Sequence, residues 1–281
     1  LISYLKYSTF CFLFKELYLY NNSRTMIKYC CSDISYFPII AKKGFARKMQ
    51  ILNNDLIKIS TYHLIEGAKK ATGLTVIIDV FRAFSLECYL YNMGVSLIRP
   101  VGTIEEAFNF KKANPDYLLI GERKGKKCEG FDFGNSPSET AKHDLRGKTV
   151  IHTTSAGTQG IVNAKGADEI ITGSLVNAKA IARYIAQKQP AEVSLVCMGN
   201  GGVAPAKEDE LCAEYIASIL RGEELPDMDR RVKRLQYDGG AHFFDSNNQD
   251  VFPEPDFWMC IDYNKFDFVL KIEKDKKGFF S

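Results

Sequence analysis

Four carboxylates, Asp79, Glu122, Glu208 and Asp209, are the side chains of this sequence that best suit a hard cation. Two arginines, Arg82 and Arg123, best suit a phosphate or carboxylate. Asp79 stands inside the apolar strand expected at Leu74–Val80, where a carboxylate must be paired or metal-bound to be tolerated. Glu208 and Asp209 open a helical stretch, so complementing the helix dipole is a competing account of them. Mg²⁺ takes a few carboxylates together with water and substrate oxygens. His63, His143, His152 and His242 lack metal-ligand spacing, and His152 reads as a structural histidine on a strand. A guanidinium fork holds phosphate bidentately, although a lone arginine is more often half of a structural ion pair.

The segment Thr153–Gly160, TTSAGTQG, places hydroxyls of Thr153, Thr154, Ser155 and Thr158 and backbone N–H groups around Gly157 where a strand turns into a helix. Such a turn favours an anion. A plain connection with good caps would have the same composition. Two other motifs fail on spacing. Gly147-Lys148-Thr149 would need glycine at Lys142 and a preceding strand to be a P-loop. Gly199-Asn-Gly-Gly202 has Ala204 where a dinucleotide turn needs its third glycine.

The elements that must position these groups follow a repeated pattern of apolar run, polar loop and helical stretch. Strands are expected at 74–80, 96–101, 117–120, 149–153, 169–172 and 193–197, with a last strand-like run at 266–272. Helices are expected from 82 to about 93, after the capping box Thr103/Glu106, over 178–187 capped by Asn177, and over 208–220. Residues 245–256 read as a long polar loop. Continuous apolar strands separated by helices predict an α/β fold, with a mainly parallel or mixed central sheet in a three-layer α/β/α arrangement. Ligands of such sheets bind outside the carboxyl ends of the strands, where the polar residues named above fall.

With 46% hydrophobic and 25% charged residues in a chain of 281, a sizeable core is available. The net charge of +3 is concentrated in residues 1–48, which hold eight Lys/Arg and two Asp/Glu, so the remainder is mildly acidic. Neither nucleic acid nor membrane is expected as a partner, and a homo-oligomer is left open. The apolar run 7–14 is far short of the roughly 20 residues that span a bilayer. Residues 1–48 are expected to be a non-native or disordered leader, with the domain running from Met49 to Ser281. Cysteines 88, 128, 197, 212 and 260 are widely spaced and lack a CxxC pair, which points to buried thiols in the cytoplasm.

VIIDVFRAFS (76–85), GERKG (121–125), GFDFGNSPSE (130–139), GKTVIHTTSAGTQGI (147–161), GSLVNA (173–178) and EDELCAEYI (208–216) together resemble the 2-phosphosulfolactate phosphatase (ComB) family of coenzyme M biosynthesis. The resemblance implies Mg²⁺-dependent hydrolysis of (R)-2-phospho-3-sulfolactate to 3-sulfolactate and phosphate. For that chemistry Asp79, Arg82, Glu122 and Arg123 are the expected catalytic groups, with the metal expected on Asp79 and one or more of Glu122, Glu208 and Asp209. Asn135, Ser136, Thr153, Thr154, Ser155, Gly157 and Thr158 become the groups around the phosphorylated acid. Phe84-Ser85 and Gln159 depart from the pattern, and Gln159 removes a cation often found there. The rival readings are a phosphatase of another small phosphorylated acid and a non-catalytic α/β anion-binding protein.

Overall fold

The computed structural model describes residues 16–20, 26–30, 57–274 and 280. Two compact units are present, Leu1–Gln50 and Ile51–Ser281. In the first, strands β1 (Glu16–Tyr20) and β2 (Met26–Cys30) pair antiparallel. Most of the expected leader otherwise lies outside the described residues.

The second unit begins β3 (Lys58–His63), α1 (Leu64–Ala68), β4 (Gly73–Ile78), α2 (Ala83–Asn92), β5 (Leu97–Pro100) and α3 (Ile104–Ala113). It continues with β6 (Leu118–Arg123), β7 (Lys126–Lys127), α4 (Pro137–Thr140), β8 (Thr149–Thr153), α5 (Gly157–Asn163) and β9 (Ala167–Gly173). The last elements are α6 (Ala178–Lys188), β10 (Glu192–Cys197), α7 (Lys207–Arg221), α8 (Met228–Asp238), α9 (Glu254–Ile261) and β11 (Leu270–Ile272).

These strands form two mainly parallel sheets flanked by helices, where a single central sheet was expected. One has the order β11-β9-β4-β10-β3, parallel except for β11. The other has the order β5-β8-β6-β7, parallel except for β7. The division is made by α2. After β4 the chain enters this helix and emerges as β5 in the second sheet instead of returning beside β4. Eight of the ten residues of α2 are buried, so it packs against neighbours on more than one face. Ala83 and Phe84 pack toward the first sheet, while Leu86 and Leu90 pack on Ile120 and Val150 of the second.

Side chains alternate across each sheet as the period of two requires. Val76, Ile78, Val193 and Leu195 face α6, α7 and α8, whereas Ile77 and Val196 face α1 and α5. In the second sheet Ile120 and Val150 share a cluster with α2, and Leu119 and Ile151 share one with Ala107 of α3. Each such fully buried aliphatic side chain contributes about 1.5–3 kcal/mol relative to exposure. Thr103 caps α3 by accepting from Glu106 N at 3.0 Å, as its spacing predicts. Glu106 reaches one residue further back, to Gly102 N.

Two local expectations fail. Asn177 does not cap α6: its side-chain oxygen accepts from Ser174 N at 3.1 Å and closes a box with Ser174 instead. The segment 245–256 is not loop throughout, because α9 starts at Glu254, on a proline at its second position.

Candidate active site

Asp79 lies directly after β4, the central strand of the first sheet, and is 5% exposed. Its Oδ1 accepts from Ala83 N at 3.3 Å, tying the carboxylate to the first residue of α2. Asp209, in the first turn of α7, follows the adjacent strand β10. Its two oxygens accept from Val80 N and Gly199 N, each at 2.8 Å, so it ties together the loops that leave β4 and β10. Glu208 is 7% exposed, and its buried Oε2 has no hydrogen-bond partner among the described residues. The fourth carboxylate comes from the second sheet. Glu122, on β6, accepts from Ser155 N at 2.6 Å through Oε1 and from Gly125 N at 2.7 Å through Oε2.

These acids oppose one another. Burial first, then the charges of Asp209 and Glu122, push the Asp79 carboxyl well above the usual carboxylate range. Burial, with a smaller contribution from Asp79, lifts Glu208 to about 7. Burial and the adjacent Glu208 raise Asp209 to about 8. Buried acids in this state need a proton or a cation beside them. Among the described residues no three His, Cys, Asp or Glu side chains enclose a common point closely enough to hold a metal unaided. Glu208 keeps the most free oxygen capacity, while Asp79, Glu122 and Asp209 each accept from backbone N–H groups.

The hydroxyls of the 153–158 segment mostly serve the segment itself. Thr154 Oγ1 accepts from Thr158 N at 3.1 Å, and Thr158 Oγ1 accepts from Thr154 N at 2.9 Å. Arg123 Nη2 donates to Thr153 Oγ1 at 3.0 Å and Nη1 donates to Glu122 O at 2.7 Å. Gln159 donates to the carbonyls of Gly102 and Thr154, bracing the same turn. Gly157 is required by close approach: a Cβ there would lie 2.9 Å from both Asp79 Oδ2 and Phe84 Cζ. Gly157→Ala is therefore expected to cost about 1–3 kcal/mol, read as the shift in a urea unfolding midpoint.

Arg82 is 4% exposed, and its guanidinium meets the buried Asp256. Nη1 donates to Asp256 Oδ2 at 2.8 Å and to Val251 O at 2.9 Å, Nη2 donates to Gly125 O at 3.2 Å, and Phe252 lies beneath the fork. Asp256 Oδ1 accepts from Ser136 Oγ and Ser138 N, each at 2.9 Å. Asn135 Oδ1 is 3.0 Å from His152 Nε2, and His152 Nδ1 is 2.8 Å from Glu87 Oε1. All three of these side chains are buried. These two contacts fix the His152 ring and the direction of the Asn135 amide, which lines a cavity.

The expected site residues thus fall into two connected groups. Asp79, Glu122, Arg123, Thr153, Thr154, Ser155, Gly157, Thr158, Glu208 and Asp209 gather at the strand ends. Arg82, Asn135 and Ser136 line a cavity of about 500 Å³. Gly125 joins the groups, since its N–H is held by Glu122 and its carbonyl by Arg82. Asp256 and Glu87 were missed. Glu87 had a signal, a lone acid inside the apolar run AFSLECYL, whereas Asp256 had none in the polar segment where it was read.

This arrangement is that of an α/β enzyme with its polar groups at the carboxyl ends of parallel strands. The family model of 2-phosphosulpholactate phosphatase matches residues 59–274. The chain is 31% identical over 204 residues to a "Probable 2-phosphosulfolactate phosphatase" of Bacillus subtilis, covering 72% of this chain and 88% of the relative. With the protein of the same name from Caldanaerobacter subterraneus it shares 38% identity over 226 residues, 76% of this chain and 93% of that one. A Thermotoga petrophila protein of that name is 40% identical over 159 residues, 57% and 67% of the two chains. The chain belongs to the 2-phosphosulpholactate phosphatase family of phosphoric monoester hydrolases. Among the described residues no helix is long and apolar enough to cross a membrane.

Proposed function

We propose that this protein hydrolyses (R)-2-phospho-3-sulfolactate to 3-sulfolactate and phosphate with Mg²⁺ as its cofactor. The observation that carries this reading is the gathering of Asp79, Glu122, Glu208 and Asp209 at strand ends, with Glu208 Oε2 buried and unpartnered. Asp79 and Glu208 would hold the metal, with Asp209 and Glu122 fixing the loops around them. The bound cation supplies charge neutralisation at the phosphoryl oxygens.

The protein's own part is positioning and electrostatics, which are most of what phosphoryl transfer requires. Arg123 sets a positive charge beside Thr153 and Glu122. The interlocked hydroxyls of Thr154 and Thr158 hold the turn rigid, so little reorganisation is needed when the phosphate arrives. Burial of the acids keeps water from screening their attraction for the metal.

The test is phosphate release from a panel containing 2-phospho-3-sulfolactate, 2-phospholactate, 3-phosphoglycerate and an aryl phosphate. The sulfonated ester is expected to give the highest kcat/KM. A preference for 3-phosphoglycerate would assign the site to another phosphorylated acid, and no release from any ester would remove the catalytic reading.

A further inference from the structure

The substrate proposed above carries a carboxylate and a sulfonate besides its phosphate, and the carboxylate cluster would repel both. The cavity lined by Arg82, Asn135 and Ser136 has the opposite character. Lys126, Lys127 and Lys142 line it as well, and among the described residues none of these lysines makes an ion pair. Glu139 and Asp250 also belong to the lining. With Arg82 balanced by Asp256, the lysines still leave positive charge in excess.

The cavity's place is set by β7. That two-residue strand folds back on β6 so that Lys127 pairs with Glu122 and Lys126 with Arg123, which brings two ammonium-bearing residues alongside the acidic site. Gly125 forms the shared wall. Three polar groups of the lining are already fixed in direction: Arg82 by Asp256, Ser136 by the same carboxylate, and Asn135 by His152. A cavity of about 500 Å³ is of small-metabolite size.

We infer that this cavity is the subsite for the strongly acidic tail of the substrate, with Lys126, Lys127 and Lys142 as its selectivity residues and Asn135 as an amide held in place by His152. The inference rests on the proposed reaction and adds to it the means by which a sulfonate is told from a neutral substituent. Phosphate lies toward Asp79 and Glu208, and sulfonate lies toward the lysines. A site that meets a charged group with charge discriminates strongly against the analogue lacking it.

The experiment uses the full chain and the double variant Lys127→Gln/Lys142→Gln. Two readouts are taken: kcat/KM for 2-phospho-3-sulfolactate against 2-phospholactate, and calorimetric binding of 3-sulfolactate and of inorganic phosphate. The preference for the sulfonated ester is expected to fall at least about tenfold, mainly through KM, and 3-sulfolactate binding to weaken in parallel more than phosphate binding does. An unchanged preference, or equal weakening for 3-sulfolactate and phosphate, overturns the subsite. If the unaltered chain cleaves neither ester, the proposed reaction fails and the subsite is judged on binding alone. Lysine-dependent capture of 3-sulfolactate would then uphold it, and no capture would overturn it.

Discussion

Asp79→Asn should reduce turnover by at least about 10²-fold, equivalent to roughly 2.7 kcal/mol of barrier, while leaving the metal-free protein as stable as before or more so. The two halves of this result come from one geometry. Asparagine keeps the Oδ1 that accepts from Ala83 N, so the start of α2 is still tied down. What disappears is a buried negative charge whose neighbours Asp209 and Glu122 repel it. A carboxyl whose folded-state pKa is raised costs stability wherever the pH exceeds its unfolded value, so its removal at neutral pH relieves that cost. A metal ligand lost and a repulsion relieved give opposite changes in activity and thermal midpoint. Paired kinetics and thermal scans in EDTA would read both. A fully active folded Asp79→Asn would move the metal site elsewhere, and a fall in activity matched by unfolding would make Asp79 a structural residue.

Asp256→Ala should be the most destabilising of the single substitutions considered, at about 3–5 kcal/mol. Arg82 is buried, and the variant would strand its guanidinium without a counter-charge. The same change removes the acceptor of Ser136 Oγ and Ser138 N, and with it the anchor between α9 and the start of α4. Against a typical stability of about 5–15 kcal/mol this is a large fraction. Denaturant unfolding of the variant and of Asp256→Asn would separate charge from hydrogen bonding, with the asparagine variant expected to fall between. A loss for Asp256→Ala below about 0.5 kcal/mol would mean that Arg82 finds another partner or reaches water.

The parallel strands were legible because burial on both faces leaves an unbroken apolar run, as in Leu74–Ile78 and Val193–Cys197. β8 was found at its observed limits, Thr149–Thr153. The division into two sheets was not legible. It depends on where α2 delivers the chain, and apolar periodicity carries no information about which strand comes next in space. β3 was missed because its sequence, KISTYH, has neither an apolar run nor a clean alternation, and it lies at the edge of the sheet beside β10. Strand ends pointed to Asp79, Glu122, Glu208 and Asp209 because a carboxylate against an apolar run needs a reason. Arg82 gave the other kind of lesson. The spacing suggested an anion fork, and the structure sets that fork on Asp256, 174 residues further along. The lysines of the cavity were invisible for the same reason, since Lys126 and Lys142 become neighbours of one space only through β7 and α4.

The most direct measurement is steady-state phosphate release from 2-phospho-3-sulfolactate by the full chain after exhaustive chelation, followed by addition of Mg²⁺ or Zn²⁺. Acidic oxygen donors without a histidine cluster predict that chelation abolishes release and that Mg²⁺ restores it better than Zn²⁺. Undiminished release after chelation, or restoration by Zn²⁺ alone, would contradict it.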